Sequence, residues 1–147
     1  MRRYRHTFTV KANKQAVADF HSHSSSMASI TPPPVIVQMH KAPENLGENS
    51  EMEFTLWLGF LPIRWLASIE DISPTGFTDR QIRGPFKEWS HRHTYIPIDE
   101  KHTEIIDEIS YSFKEDLYWG LIGWGMATSL PLLFAYRAWK TRRILKS

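Results

Sequence analysis

The segment from residue 86 to residue 96 carries four ring-bearing side chains at alternate positions: Trp89, His91, His93 and Tyr95. Since successive side chains of a β-strand point to opposite faces, a strand here puts all four on one face. Imidazoles exchange protons, bind metals and form hydrogen bonds near neutral pH. The spacing therefore predicts a polar spot on a face that is otherwise apolar.

Two carboxylates are predicted to reach these histidines from the neighbouring strands. A hairpin that turns at residues 84–85 brings Asp79 close to His91. The next hairpin brings Asp107 opposite His91 or His93. In a site of low dielectric constant each carboxylate needs a partner, and each imidazole can supply one.

The residues alone leave four interpretations of this cluster open. It could be a satisfied polar network that fixes strand register, or the polar end of a ligand site. It could be catalytic, with His91 or His93 as general base for an aldol-type cyclisation or dehydration, oriented by Asp107 or Asp79. Two histidines and a carboxylate could also bind a metal, although we predict no metal and no cofactor. The sequence holds no G-x-S-x-G motif for a serine nucleophile.

Seven strands are predicted to position the cluster, from period-two alternation and from the turn residues between them. They cover residues 4–10, 35–41, 52–58, 64–72, 77–83, 86–96 and 102–113. The short links favour antiparallel neighbours. Asn13 is predicted to cap a helix that fades in the Ser/His run at residues 21–26, where His21 and His23 are expected to face solvent.

One face of this sheet is apolar, so something apolar must cover it. The only candidate of sufficient length is a predicted helix over residues 119–145, with a possible bend at Pro131. The segment 117–136, which overlaps this helix, carries no formal charge and is apolar nearly all round. That is best explained if the sheet curves around the helix and leaves a cavity. The alternative is a membrane anchor, because twenty such residues can cross a bilayer.

Composition narrows the class of protein. A chain of 147 residues fits one domain, which we assign to residues 1–147. The net charge of +2 is too small and too mixed to predict nucleic-acid binding. There is no cysteine and no apolar signal core at the start, so we expect a cytoplasmic protein. The basic C-terminal residues, including Arg142, Arg143 and Lys146, could complement the helix dipole or contact anionic lipids.

The central segments resemble a known family. The chain carries F-x-D at residues 77–79, GPF-x-x-W-x-H-x-H-x-Y at residues 84–95 and D-x-x-x-Y at residues 107–111. These motifs are similar to a branch of the SRPBCC superfamily of START-like, polyketide-cyclase-like and coenzyme-Q-binding-like proteins, in which phenylalanine is usual where Tyr95 stands. The likeness extends to residues 32–34, 65–69 and 134–137, and so covers nearly the whole chain.

The resemblance implies an α+β helix-grip fold, in which a curved seven-stranded antiparallel sheet grips a long C-terminal helix over a hydrophobic tunnel. Members bind lipids, sterols, quinones, polyketides or hormones, and some are aromatase/cyclases. We therefore predict a non-catalytic binding or carrier module for a hydrophobic small molecule. A cyclase/dehydratase is the alternative from another class. The residues predicted to contact the ligand are Phe54, Trp65, Phe77, Gln81, Phe86, Trp89, His91, His93, Tyr95, Asp107, Tyr111, Met126 and Phe134.

Overall fold

The computed structural model describes residues 1–145. Its framework is one antiparallel sheet in the order β1-β7-β6-β5-β4-β3-β2. The strands are β1 Arg2–Val10, β2 Ile36–Lys41, β3 Glu51–Leu58, β4 Leu61–Ser73, β5 Gly76–Arg83, β6 Phe86–Pro97 and β7 Thr103–Phe113. The helices are α1 Lys14–Ser22, α2 Ser26–Ser29, α3 Leu117–Thr128 and α4 Leu130–Ile144. Every strand after β2 pairs with the one before it, as the short links predicted, and β1 closes against β7.

The predicted alternation along the strands is confirmed for the central sheet. In β7 the side chains of Thr103, Ile105, Asp107 and Ile109 are buried, whereas Glu108 is exposed. In β3 the same rule buries Met52 and Phe54. Two residues expected on the wet face are buried as well: Ile106 of β7, and Thr55 of β3, whose Oγ1 lies 2.7 Å from Nε2 of His40. The edge strand β2 departs from the alternation, since Met39 was expected to face inward and is exposed. An edge strand has a neighbour on one side only, and β2 is also shifted in register after Met39.

The helix after β1 begins where the sequence predicts. The side chain of Asn13 accepts a hydrogen bond from the backbone N–H of Ala16 at 2.8 Å, which caps α1. The helix continues through His21 to Ser22, and the Nδ1 atom of His21 lies 2.9 Å from the carbonyl oxygen of Val17. The expectation that His21 and His23 both face solvent is therefore corrected. His23 is exposed, but His21 lies on the covered side of the helix.

The C-terminal segment forms two helices rather than one long helix. The side chain of Asp116 caps α3 at its start, and the helix is interrupted at Ser129. Pro131 belongs to the first turn of α4, where its missing N–H leaves no intrahelical bond unmade. Within residues 1–145 no single helix is long and apolar enough to cross a bilayer, although α3 and α4 together reach that length and composition across a bend of 47°.

Helix α4 is held to the sheet by one stripe of side chains. Leu130, Phe134, Ala138 and Thr141 are buried, at the spacing of one helical face. At its end Arg142 donates a hydrogen bond from Nε to the carbonyl oxygen of Thr9 at 2.9 Å. This cation of the basic tail thus has a structural partner in the protein itself. Lys146, the last cation of that tail, lies outside the described residues.

Candidate ligand cavity and its polar end

A cavity of about 740 Å³ separates the concave face of the sheet from the helices. Apolar side chains from β3 and β4 form its floor, and the inner faces of α3 and α4 form its roof. The loop that contains the proline triplet at residues 32–34 lines its side. Its volume falls within the range of about 300–1,000 Å³ that small-molecule sites have.

Three rings stack along the sheet at one end of the cavity. The ring of His93 lies 4.3 Å from that of Phe77 and 3.7 Å from that of His91, centroid to centroid. Phe134 of α4 meets His91 edge-on at 5.5 Å. We call Phe77, His93 and His91 the ring column. The alternation of β6 and its pairing with Phe77 of β5 put these rings on one face.

Both carboxylates reach the ring column as predicted. Asp79 is the cross-strand partner of His91, and Asp107 is the partner of His93. The Nε2 atom of His91 lies 2.8 Å from Oδ1 of Asp107, and both side chains are almost fully buried. The same oxygen is 3.5 Å from Nδ1 of His93, but neither ring nitrogen of His93 has hydrogen-bonding geometry to any of residues 1–145. Asp107 therefore forms its hydrogen bond with His91, and within residues 1–145 His93 has no hydrogen-bond partner.

Burial controls the charge of this end of the cavity. It lowers the pKa of His93 well below 6.5, and the neighbouring His91 and His21 add to the effect. Burial also raises the pKa of Asp79, although the positive charges of His91 and Arg137 oppose the rise. Oδ1 of Asp79 is buried and has no hydrogen-bond partner within residues 1–145. The folded state thus favours a neutral imidazole at His93 and a protonated carboxyl at Asp79.

Two polar residues beside the ring column were not predicted from the sequence. Arg137 of α4 and His21 of α1 both line the cavity. His21 lies four residues after Val17, which is fully buried, so it shares the covered side of α1. Arg137 lies three residues after the buried Phe134. In each case helical spacing from an inward apolar residue was the available signal.

Eight of the thirteen residues predicted to contact the ligand line the cavity, and the remaining five do not. The eight are Phe54, Trp65, Phe77, Trp89, His91, His93, Met126 and Phe134. The five are Gln81, Phe86, Tyr95, Asp107 and Tyr111.

The five have other structural roles. The amide of Gln81 is occupied by the backbone of Phe86, donating to its carbonyl oxygen at 2.8 Å and accepting from its N–H at 3.2 Å. Phe86 is itself buried beneath Gly123 of α3. Tyr95 belongs to a separate core cluster with Val10, Val17 and Ile105. Asp107 sits behind His91, and the ring of Tyr111 packs against those of Phe86 and Trp89.

A metal site is also compatible with the spacing of Asp79, His91 and His93. One potential ligand atom from each lies within 4.8 Å of the other two. Two histidines and one carboxylate suit several divalent metals. The guanidinium of Arg137 lines the same cavity and interacts electrostatically with Asp79 and His93. Its positive charge opposes a cation at this position.

We expect the protein to lose stability as the pH falls below 6.5. The lowered pKa values of His93 and His21 mean that the unfolded chain binds protons there which the folded state does not. The stability that these two neutral histidines contribute is therefore complete well above pH 6.5, and each of them removes up to about 1.4 kcal/mol per pH unit below it. The raised pKa of Asp79 acts in the opposite direction, because the unfolded carboxyl ionises first.

Urea unfolding at a series of pH values measures this slope. His93→Phe keeps a flat ring in the column and removes one buried titrating group, so its unfolding free energy should fall less steeply with acid. Ser25→Ala changes an exposed residue of the same region that does not titrate, and it should keep the wild-type slope. Equal slopes in the wild type and His93→Phe would contradict the neutral assignment of His93.

No protein-family model and no curated protein sequence matches the chain. Several solved structures, in contrast, are similar to it. The Zhui aromatase/cyclase of Streptomyces sp. R1128 superposes with a TM-score of 0.69 at 17% identity, over 97% of this chain and 95% of that one. Norcoclaurine synthase of Thalictrum flavum gives 0.70 at 14% identity, over 99% of this chain and 88% of the synthase.

A START superfamily protein of Mycobacterium smegmatis gives a TM-score of 0.69 at 9% identity, over 98% of this chain and 97% of that protein. Identities this low establish the shared fold and not a shared activity. The sheet order, the C-terminal helices packed on its concave face and the near-complete coverage agree with the motifs at residues 77–79 and 84–95. The chain has the helix-grip fold that these solved structures share.

Proposed function

We propose that the protein is a cytoplasmic, non-catalytic binding or carrier module for a hydrophobic small molecule such as a quinone, isoprenoid, fatty acid or aromatic polyketide. The cavity of about 740 Å³ carries the proposal. Its wall is mostly apolar, and a few polar groups converge at one end, which is the usual composition of a small-molecule site.

The polar groups favour binding over proton transfer. A general base must accept a proton near the working pH, yet burial holds the pKa of His93 well below 6.5. His91 already shares its Nε2 atom with Asp107. These groups are better suited to orient a ligand by hydrogen bonds.

Native mass spectrometry of protein purified from its own host tests the proposal directly. We expect a bound small molecule that is released by organic solvent and is identified as hydrophobic. Titration with the neutral fluorophore N-phenyl-1-naphthylamine should show saturable binding to protein stripped of that molecule. A stripped protein that binds neither this fluorophore nor its extracted lipids would contradict the proposal.

A cyclase or dehydratase remains the second candidate. The pair formed by His91 and Asp107 favours it, because a carboxylate that orients an imidazole is a common arrangement for acid–base catalysis. The structural similarity to an aromatase/cyclase adds to it. Turnover of a polyketide substrate that is lost in both His91→Ala and His93→Ala would favour the enzyme. Binding without turnover would favour the carrier.

Membrane anchoring through α3 and α4 is the third candidate. The observation that favours it is the exposure of apolar side chains on α3. Leu117, Leu121 and Trp124 of α3 are more than half exposed. Helix α4, in contrast, buries Phe134 and Ala138 against the sheet, so its transfer to a bilayer would open the core. If the purified protein is monomeric and soluble without detergent, this candidate fails.

A further inference from the structure

The guanidinium of Arg137 is the least satisfied charge of the cavity. Its Nε atom is buried and has no hydrogen-bond partner, and no residue of the described chain forms an ion pair with it. Its Cζ atom lies over the ring of Phe134, 5.6 Å from the ring centre. A half-buried arginine whose Nε atom is shielded from water and unpaired is costly to fold, since charges taken out of water are normally paired.

The two nearest sources of negative charge do not meet this need. Asp107 and Asp79 interact with Arg137 electrostatically, but neither forms an ion pair with it. Asp107 already accepts a hydrogen bond from His91. Burial raises the pKa of the Asp79 carboxyl, which weakens it as a counter-charge for Arg137.

Among the ionisable groups around this end, Arg137 is the cationic donor whose Nε is left unpaired within residues 1–145. These groups come from five elements: His21 from α1, Asp79 from β5, His91 and His93 from β6, Asp107 from β7 and Arg137 from α4. Arg137 offers a planar fork of N–H donors, which fits a carboxylate with two parallel hydrogen bonds.

The rest of the cavity is suited to the other end of the same molecule. Away from the polar groups the wall is formed by side chains such as Met52, Phe54, Leu56 and Leu133. Binding to these surfaces is favourable because it removes apolar area from water. A ligand that fits both ends is amphipathic.

We infer that the ligand is a hydrophobic acid whose carboxylate binds Arg137 while its apolar part extends along the cavity. This inference rests on the proposed function, since it specifies the chemistry of the molecule that the cavity holds. Arg137 is then the residue that selects acids against neutral molecules of the same shape.

Matched pairs of probes test the inference. Dodecanoic acid and dodecanamide form one pair, and naphthalene-acetic acid and its amide form another. Each displaces N-phenyl-1-naphthylamine from stripped protein at a mildly alkaline pH, where the acids are ionised. We expect the acid of at least one pair to bind at least about tenfold tighter than its amide, as a charge-assisted hydrogen bond implies.

Arg137→Gln should abolish that preference and leave the affinity for the amide unchanged. Arg143→Gln is the matched control, because Arg143 lies on the same helix, is exposed and contacts only the ring of Trp139. It should keep the wild-type preference. The ratio of the affinities for acid and amide is measured on the wild-type protein. The inference can therefore be contradicted even if Arg137→Gln does not fold.

Each other outcome decides the matter. If acids and amides bind the wild type equally, or if Arg137→Gln retains the preference, the inference is wrong while the proposed function stands. If zinc alone raises the melting temperature and His93→Phe removes that rise, this end is a cation site and the inference is wrong. If no acid and no amide binds at all, the proposed function fails and the inference fails with it.

Discussion

Replacing Gly76 with alanine is expected to destabilise the protein by roughly 2–6 kcal/mol, because backbone strain and overpacking each contribute about 1–3 kcal/mol. Gly76 begins β5 with a φ of 152°, which side-chain-bearing residues rarely adopt. A β-carbon there would lie 1.9 Å from the carbonyl oxygen of His93. That atom is backbone and cannot rotate away, so β5 and β6 would have to separate next to the ring column.

Chemical denaturation measures this loss, and Gly47→Ala is the matched control. A β-carbon at Gly47 would make an ordinary contact of 3.7 Å with Oγ of Ser50. Its effect on the free energy of unfolding should stay within about 0.5 kcal/mol. If Gly76→Ala unfolds at the wild-type denaturant concentration, the close approach of β5 to β6 described here is wrong.

The sheet was predictable because its geometry is periodic. Once β6 and its turns are located, alternation fixes which side chains face inward, and hairpin pairing sets Asp79 against His91. The cap at Asn13 was predictable for a local reason, since its oxygen bonds an amide three residues away. Both depend only on residues that are close in sequence or joined by short turns.

The helical side of the site could not be predicted in the same way. Which residues of α4 face the cavity depends on the rotation of the helix, and the break at Ser129 resets that rotation relative to α3. An apolar run gives no amphipathic stripe by which to orient it. Arg137 was missed as part of the site, although it lies three residues after the predicted contact Phe134, and that spacing was the local signal for it.

Inward direction along a strand also does not guarantee contact with the cavity. Gln81 points inward, but its amide is taken up by the backbone of Phe86 at the turn between β5 and β6. Tyr95 points inward too, yet α1 covers it and its ring lies 5.1 Å from that of His21. Alternation identifies the covered face, and only the packing of the helices divides that face into solid core and open cavity.

Narrowing the cavity from both walls is expected to weaken ligand binding by at least about tenfold, a loss of about 1.4 kcal/mol or more. Leu56 projects from the sheet wall and Met126 from the helix wall, and both pack against the same cluster of buried residues around Trp65. The double variant Leu56→Trp/Met126→Trp places two large rings in the space between them. The affinity for N-phenyl-1-naphthylamine measures the effect.

The control must add the same bulk to the same elements without entering the cavity. Glu53→Trp/Tyr118→Trp does so, because Glu53 is exposed on the outer face of β3 and Tyr118 is exposed on α3. This variant should bind as the wild type does. If both double variants bind like the wild type, the ligand lies outside the space between sheet and helices. If only Leu56→Trp/Met126→Trp loses binding while it unfolds at the wild-type temperature, the loss follows from the missing volume, since stability and outer-surface bulk are then both excluded as its cause.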